Sequence, residues 1–178
     1  MTEQKIERAT TVAITGYHPE INYPNTSNDN LTATTRTELY LALEELYKAG
    51  YRTFLCTLEN GFGLLAAETV VFLRETQFHT PIRLVAVYFE DDPYAFDEET
   101  LVKFCEIIRT ADLSVEISKS RFLHRYTKRN RLLRECSSRI VSLSKGLHWG
   151  VVSLLLGAWL RHIPVKNLCQ TVREKMTL

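Results

Sequence analysis

Two short apolar runs, each ending at a glycine turn, constrain the fold of this chain most. Val12-Ala13-Ile14 leads into Thr15-Gly16-Tyr17, and residues 51–56 lead through a polar turn containing Gly61 and Gly63 into a helical pattern. In such a strand, glycine turn and helix, the backbone N–H groups at the helix start face a ligand, typically a phosphate. The two segments therefore predict an α/β fold with a nucleotide-type binding site. They do not name the ligand.

The rest of the chain continues this alternation of strands and helices. The strand patterns cover residues 12–14, 51–56, 82–88, 113–117, 139–143 and 165–168. The helix patterns cover residues 34–49, 64–76, 98–110, 125–135 and 149–161, and a helical turn follows at the end. Residues 18–30, rich in asparagine and proline, predict a loop. We therefore predict a Rossmann-like, doubly wound, mainly parallel sheet with helices on both faces, forming one domain over residues 1–178 with a flexible segment at 1–10.

Charge, apolar stretches, cysteines and histidines limit the classes of function that the chain can have. The net charge of +1 gives the molecule no strong overall field for nucleic acid or a membrane. The apolar stretch at 147–160 is shorter than the roughly 20 residues that cross a bilayer. The four cysteines form no CxxC pair and no signal-peptide pattern is present, so we expect a cytoplasmic protein with reduced thiols. The histidines show no metal-ligand spacing, and no metal site is expected.

Several residues near the predicted strand ends are candidates for ligand binding. Gly16 would let a phosphate or ribose approach the backbone and Thr15 offers a hydroxyl, although a simple tight turn explains them equally well. Glu68, early in the second helix, suits the helix dipole and could also reach a ribose hydroxyl or a water. Trp149, followed by Gly150, could stack on a base or could serve packing alone.

A local excess of positive charge lies within residues 119–145, which hold nine Lys or Arg and one acidic residue. Three interpretations stay open. Arg129 and Arg131, with Asn130 between them, could bind phosphates, because the planar guanidinium suits that role. The segment could instead be a nucleic-acid surface. It could also be a solvated helix face that pairs with the acidic residues of 90–99.

Three motifs occur in a fixed order along the chain. They are a TG[HY] strand end at residues 15–17, a G-x-x-x-x-AAE turn and helix at residues 61–68, and an RNR segment at residues 129–131. Over residues 11–168 this set resembles the YpsA branch of the SLOG superfamily, Rossmann-like proteins that include the DprA-like and LOG-like groups. The resemblance implies a nucleotide-derived ligand, and it implies a ligand face that contains Gly16, Tyr17, Gly61, Glu68, Arg129 and Asn130.

The chain also departs from that family pattern. Thr57 stands where a glycine is usual, and Gly63 and Ser138 stand where aspartates are usual. Residues 148–150 replace the usual Gly-Gly-Thr phosphate loop. The loss of a phosphate loop and two acids favours binding over catalysis.

We therefore expect a domain that binds a nucleotide or nucleotide-sugar derivative, such as an ADP-ribose-like compound, in a sensing or regulatory role. No cofactor is required, and an oligomer is compatible with the sequence. Backbone near Gly16, Gly61 and Gly63 would hold phosphate, Arg129 would neutralise it, and Tyr17 or Trp149 would stack on the base.

Two other classes of function remain as alternatives. One is a nucleotide-processing hydrolase in which Glu68 activates water; Glu68 is the sole catalytic candidate. The other is a module that binds nucleic acid or protein through residues 119–145. A polymer contact of that kind would lose affinity steeply as salt rises, whereas a ligand in a small pocket would respond weakly.

Overall fold

Six parallel strands form the sheet at the centre of the structure. The computed structural model describes residues 6–17, 28–59, 61–77, 80–118, 122–145 and 149–176. The strands are β1 (Thr11–Gly16), β2 (Thr53–Thr57), β3 (Arg83–Phe89), β4 (Leu113–Ile117), β5 (Arg139–Leu143) and β6 (Val165–Asn167). They lie in the order β4-β3-β2-β1-β5-β6 and every neighbouring pair is parallel. The predicted Rossmann-like, doubly wound α/β fold is confirmed.

The described α-helices follow the predicted pattern closely. They are α1 (Asn28–Lys48), α2 (Phe62–Thr76), α3 (Glu98–Thr110), α4 (Phe122–Cys136), α5 (Trp149–Leu160) and α6 (Cys169–Met176). The first begins at residue 28 instead of 34, which shortens the loop predicted at 18–30; residues 18–27 lie outside the described ranges. The helical turn predicted at the end of the chain is an eight-residue helix.

Local chemistry explains where these elements begin and end. All residues of β1 and β2 are buried because helices cover both faces of the sheet, and the middle residues of each strand are accordingly apolar. Asp97 caps α3 by accepting a hydrogen bond from the Thr100 N–H at 2.8 Å. Gly50, with φ of +98°, follows α1 in the left-handed conformation that glycine adopts most readily.

Two apolar cores lie on opposite faces of the sheet. The first packs α1, α2, α3 and α6 against the sheet through residues such as Leu43, Val70 and Phe104. The second packs α4 and α5 through residues such as Leu133 and Leu154. The helices change to the other face of the sheet after β4. The connection from β4 to β5 runs across the sheet in the direction opposite to the earlier connections, and because such connections are right-handed its helix lies on the opposite face. The strand order reverses between β1 and β5.

The first described residues are attached to the domain. Ile6 packs against the second core. The Thr11 hydroxyl donates to the Glu7 carbonyl at 2.6 Å, and the Ser138 hydroxyl donates to the Ala9 carbonyl at 3.0 Å. The predicted N-terminal segment is thus in contact with the sheet from Ile6 onward, and residues 1–5 lie outside the described ranges.

Candidate functional site

The carboxyl ends of β1 and β5 meet at the point where the strand order reverses. Gly16 lies beside Leu143 in the parallel register, and the Tyr17 N–H donates to the Leu143 carbonyl at 3.0 Å. In doubly wound sheets, the crevice beyond strand ends at such a point is the usual place for a ligand. Thr15, Gly16 and Tyr17 therefore stand where the sequence analysis expects the site.

Three glycines let α2 approach these strand ends. A Cβ at Gly16 would lie 2.3 Å from Phe62 Cδ1, and a Cβ at Gly63 would lie 1.8 Å from the Thr57 carbonyl oxygen. Gly61 precedes α2 with φ of +83°, in the region that favours glycine. The first turn of α2 thus packs directly on the ends of β1 and β2, which is the strand, turn and helix arrangement that the sequence predicts.

A row of buried hydroxyls crosses the sheet at the same level. Thr57, Thr15 and Ser142 lie on the adjacent strands β2, β1 and β5, and all are buried. Thr57 Oγ1 donates to Thr15 Oγ1 at 3.3 Å, and Thr15 lies beside Ser142 in register. Among the described residues, the Ser142 hydroxyl has no hydrogen-bond partner. The sheet thus carries a buried polar row near its carboxyl edge.

Arg129, on α4, lies inside the molecule. Its Nη1 donates to Glu59 Oε1, its Nε and Nη2 donate to Asn130 Oδ1 at 3.1 and 2.9 Å, and Nη2 also donates to the Gly150 carbonyl at 3.2 Å. Burial lowers the pKa of Arg129 to about 9, which leaves the guanidinium charged at neutral pH. Arg129 thus joins the turn after β2 to the start of α5.

Asn130 strengthens the connection to α5. Its Nδ2 donates to the Gly150 carbonyl at 2.7 Å and to Ser153 Oγ at 2.8 Å. The neighbouring Trp149 is 59% exposed at the first position of α5, beyond the end of β5. Arg129 and Asn130 therefore fix the first turn of α5, which begins at the exposed Trp149.

Arg125 forms a second ionic contact one turn earlier on α4. Both oxygens of Asp91 accept from Arg125 Nη1 at 2.7 Å, and Asp92 lies 3.5 Å from Nη2. The guanidinium also stacks on Phe89, 3.9 Å from the ring centroid. These contacts confirm, for Arg125, the predicted pairing of the basic segment with the acidic one. Burial raises the pKa of Asp92 to about 6 although Arg125 acts in the opposite direction.

Glu68 lies away from this crevice. It sits on α2, on the face of the sheet opposite to α4, and its carboxylate pairs with Arg36 of α1 at 2.8 Å. The two side chains border a cavity of about 360 Å³, which is lined by Arg36, Thr37, Tyr40, Glu68, Thr69 and Phe72. The structure does not bring Glu68 together with the other candidate residues.

A larger cavity lies beside the crevice, at the carboxyl ends of β5 and β6. Its volume is about 540 Å³, and its lining consists of Ser144, Lys145, Leu155, Asn167, Cys169, Gln170 and Arg173. Asn167 shapes it by donating to the Ser144 carbonyl at 2.7 Å and by accepting from the Cys169 N–H at 3.1 Å. Two basic side chains, Lys145 and Arg173, thus border this cavity.

The structure gathers Thr15, Gly16, Tyr17, Gly61, Gly63, Arg129, Asn130, Trp149 and Gly150 at one edge of the sheet. Sequence reasoning missed Glu59, Ser142 and Ser153 at this edge. The sequence contains a pattern that could have identified Ser142. Like Thr15 and Thr57, it is a hydroxyl residue at or near the last position of an apolar strand. Glu59 carries no such signal, because a carboxylate in a turn is ordinary.

No protein-family model matches this chain, and no curated protein matches it at a significant level. Within the described ranges, no cluster of three His, Cys, Asp or Glu side chains could hold a metal ion. In the same part of the chain, no helix is long and apolar enough to cross a membrane.

Proposed function

We propose that this protein binds a nucleotide-derived small molecule at the carboxyl edge of the sheet, between β1 and β5. The ligand class is a nucleotide, a nucleotide sugar or an ADP-ribose-like compound, and the role is sensing or regulation without a required cofactor. The observation that carries the proposal is the reversal of strand order at this point, where Gly16 and Tyr17 stand at the end of β1 and Trp149 begins the helix that follows β5. Crevices of this kind bind ligands throughout doubly wound sheets.

The groups around the crevice match the parts of such a ligand. The exposed Trp149 indole would stack on the base, since aromatic faces pack well on flat heterocycles. The first turn of α2, at Gly61, would present backbone N–H groups to a phosphate. Lys145 and Arg173 border the adjoining cavity and would add positive charge for a second phosphate.

A relationship with the YpsA branch of the SLOG superfamily is part of this proposal. In support, the TG[HY] strand end and the RNR segment lie at the same edge of the sheet, as a shared ligand site requires. The glycines of the G-x-x-x-x-AAE turn also lie there, whereas its glutamate, Glu68, lies on an outer surface.

The two alternative functions receive less support. Glu68 pairs with Arg36 on the face opposite to Arg129, so a hydrolase that uses Glu68 would need a separate site between α1 and α2. In the basic segment, Arg125 pairs with Asp91, and Arg131 pairs with Glu135. These internal pairs reduce the positive charge that a nucleic acid would meet.

A thermal-shift screen of the purified protein tests the proposed function. The compounds are ADP-ribose, NAD, AMP, cyclic nucleotides and nucleotide sugars. A ligand at about 100 times its Kd adds about 2.7 kcal/mol to the unfolding free energy, which raises the Tm by roughly 5–11 °C for a chain of this size. A flat screen would contradict the proposal.

Two tryptophan variants locate any binding that the screen finds. Both tryptophans lie on α5, where Trp149 is 59% exposed at its start and Trp159 is 71% exposed near its end. Trp149→Ala should remove most of the ligand-induced shift, and the matched control Trp159→Ala should keep it. Equal shifts in both variants would place the ligand away from the crevice.

A further inference from the structure

Glu59 is the acidic residue that pairs with the buried guanidinium of Arg129. It lies two residues beyond Thr57, the last residue of β2, and its Oε1 accepts from Arg129 Nη1. The Glu59 side chain is 18% exposed, whereas that of Arg129 is 2% exposed. Glu59 is therefore the member of the pair that reaches solvent, and a ligand in the crevice would meet its carboxylate before the guanidinium.

Three of the five N–H groups of Arg129 donate to acceptors other than Glu59. Nε and Nη2 donate to Asn130 Oδ1, and Nη2 also donates to the Gly150 carbonyl. Nη1, which carries the remaining two N–H groups, donates to Glu59. A carboxylate of the chain itself thus lies at the nitrogen through which Arg129 would bind a phosphate oxygen. Such a counter-ion is needed, because a buried guanidinium without one would be strongly unfavourable.

We propose that Glu59 determines which part of the ligand lies at this end of the crevice, excluding phosphate from Arg129 and accepting the vicinal hydroxyls of a ribose. This inference rests on the proposed function. A phosphate here would have to break the Glu59–Arg129 pair and would stand beside a second negative charge. A diol instead donates to a carboxylate, which is the role that an acidic residue has in dinucleotide-binding sheets. The phosphates then lie toward Gly61 or the cavity bordered by Lys145.

The first test uses Glu59→Gln with inorganic phosphate as the probe, read by thermal melting in phosphate and in chloride at equal ionic strength. The amide keeps an oxygen for Arg129 but removes the negative charge, so the guanidinium gains a place for an anion. Phosphate should raise the Tm of Glu59→Gln and leave the wild type unchanged. The double variant Glu59→Gln/Arg129→Met should lose that gain.

Glu68→Gln is the matched control, because it removes the same charge from an ion pair on the opposite face of the sheet. It should show no phosphate response. If Glu59→Gln is unfolded in chloride, recovery of folding in phosphate is the same expected result. A phosphate response equal to that of the wild type, or a variant that stays unfolded in both salts, would overturn the exclusion of phosphate.

The second test uses the wild-type protein and compares adenosine with 2′,3′-dideoxyadenosine. Loss of hydroxyls that donate to a charged acceptor should weaken binding about tenfold or more. Equal affinities would overturn the ribose assignment. The outcomes distinguish the two proposals. If no nucleotide raises the Tm of the wild type but phosphate raises the Tm of Glu59→Gln, only the proposed function is contradicted. If nucleotides bind but phosphate does not raise the Tm of Glu59→Gln, the role of Glu59 is contradicted.

Discussion

At the scale of single residues, two helical glycines are constrained very differently. A Cβ at Gly63 would lie 1.8 Å from the Thr57 carbonyl oxygen, which belongs to the backbone of β2 and cannot turn away. A Cβ at Gly157 would lie 2.9 Å from Nη1 of Arg134, at the end of a long side chain. Gly63 is therefore set by the packing of α2 on the sheet, and Gly157 is not constrained in this way.

Alanine substitutions measure this difference. Gly63→Ala should lower the unfolding free energy by about 1–3 kcal/mol or more, because overpacking here moves backbone. Gly157→Ala should change it by less than about 1 kcal/mol, since alanine favours the helix and the arginine can shift. Urea unfolding of both variants provides the comparison. Equal losses would contradict the close contact between α2 and β2.

The raised pKa of Asp92 predicts a specific dependence of the unfolding free energy on pH. Its pKa rises from 3.8 to about 6 in the folded protein, mainly because its side chain is buried. Between these values the folded state holds a proton that the unfolded chain releases, so this contribution to stability is present below about pH 4 and is lost as the pH rises to about 6. The loss amounts to about 3 kcal/mol at most.

The variant Asp92→Asn isolates the contribution of Asp92 to the pH dependence of stability, because an amide does not titrate. Relative to the variant, the unfolding free energy of the wild type should fall by about 2–3 kcal/mol between pH 4 and pH 7. Chemical unfolding at several pH values measures the difference, and the other titrating groups cancel. Parallel curves for the two proteins would show that burial does not shift this carboxyl.

The residue scale also shows the limit of sequence reasoning. Thr15, Gly16 and Gly61 were predictable, because the first two end an apolar run and Gly61 lies in a polar turn before a helical pattern. Glu59 was not, since its importance depends on Arg129, 70 residues later in the chain. The burial of Arg129 was equally hidden, because its neighbours on α4 are mainly polar and suggest an exposed face.

At the scale of elements, α4 and α5 are joined by polar contacts in addition to the apolar core. Asn130 donates to the Gly150 carbonyl and to Ser153 Oγ, at 2.7 and 2.8 Å. Ser153 is half-buried, and its own hydroxyl also contacts the Gly150 carbonyl, at 3.3 Å. The first turn of α5, which carries Trp149, is thus positioned by α4.

Truncation of these side chains tests the connection. Asn130→Ala removes the two hydrogen bonds that the buried amide donates and the two that it accepts from Arg129, and it should lower the unfolding free energy by about 1–3 kcal/mol or more. Ser153→Ala removes one half-buried hydroxyl and should lower it by about 1 kcal/mol or less. Denaturant titration measures the unfolding free energy of both variants. A loss for Ser153→Ala as large as that for Asn130→Ala would contradict this ranking.

The elements themselves were largely predictable from the sequence. Strands β3, β4 and β5 were predictable because each is a short run rich in apolar residues with helical patterns before and after it. The end of α1 just before Gly50 is also as expected. The start of α1 was not, because residues 28–30 are polar and resemble the preceding loop. That turn is helical and leads into Leu31 and Thr35, which are buried.

At the scale of the whole molecule, the sheet separates two surfaces that the family resemblance places together. Arg129 and Trp149 belong to the helices of one face, and Glu68 belongs to the other. A ligand held at the carboxyl edge by the first pair should therefore be insensitive to Glu68. The pair of Glu68 with Arg36 is a surface contact, and such pairs contribute little to stability.

This separation gives a prediction for Glu68→Gln. The variant should bind nucleotide ligands with the affinity of the wild type, and its unfolding free energy should change by less than about 1 kcal/mol. Titration calorimetry and chemical unfolding measure the two quantities. A loss of ligand affinity greater than tenfold would instead favour the hydrolase alternative, with the site between α1 and α2.

The most direct test of the central claim, that the ligand binds between β1 and β5, uses the indole N–H signals of the two tryptophans of the chain. They lie about 15 Å apart along α5, so one probe stands at the crevice and the other beyond it. The protein, labelled with ¹⁵N at tryptophan, is titrated with the compounds of the screen, beginning with ADP-ribose. We expect the Trp149 signal to shift with saturation while the Trp159 signal stays in place. A shift of Trp159 alone, or of neither signal with any compound, would contradict binding at this edge of the sheet.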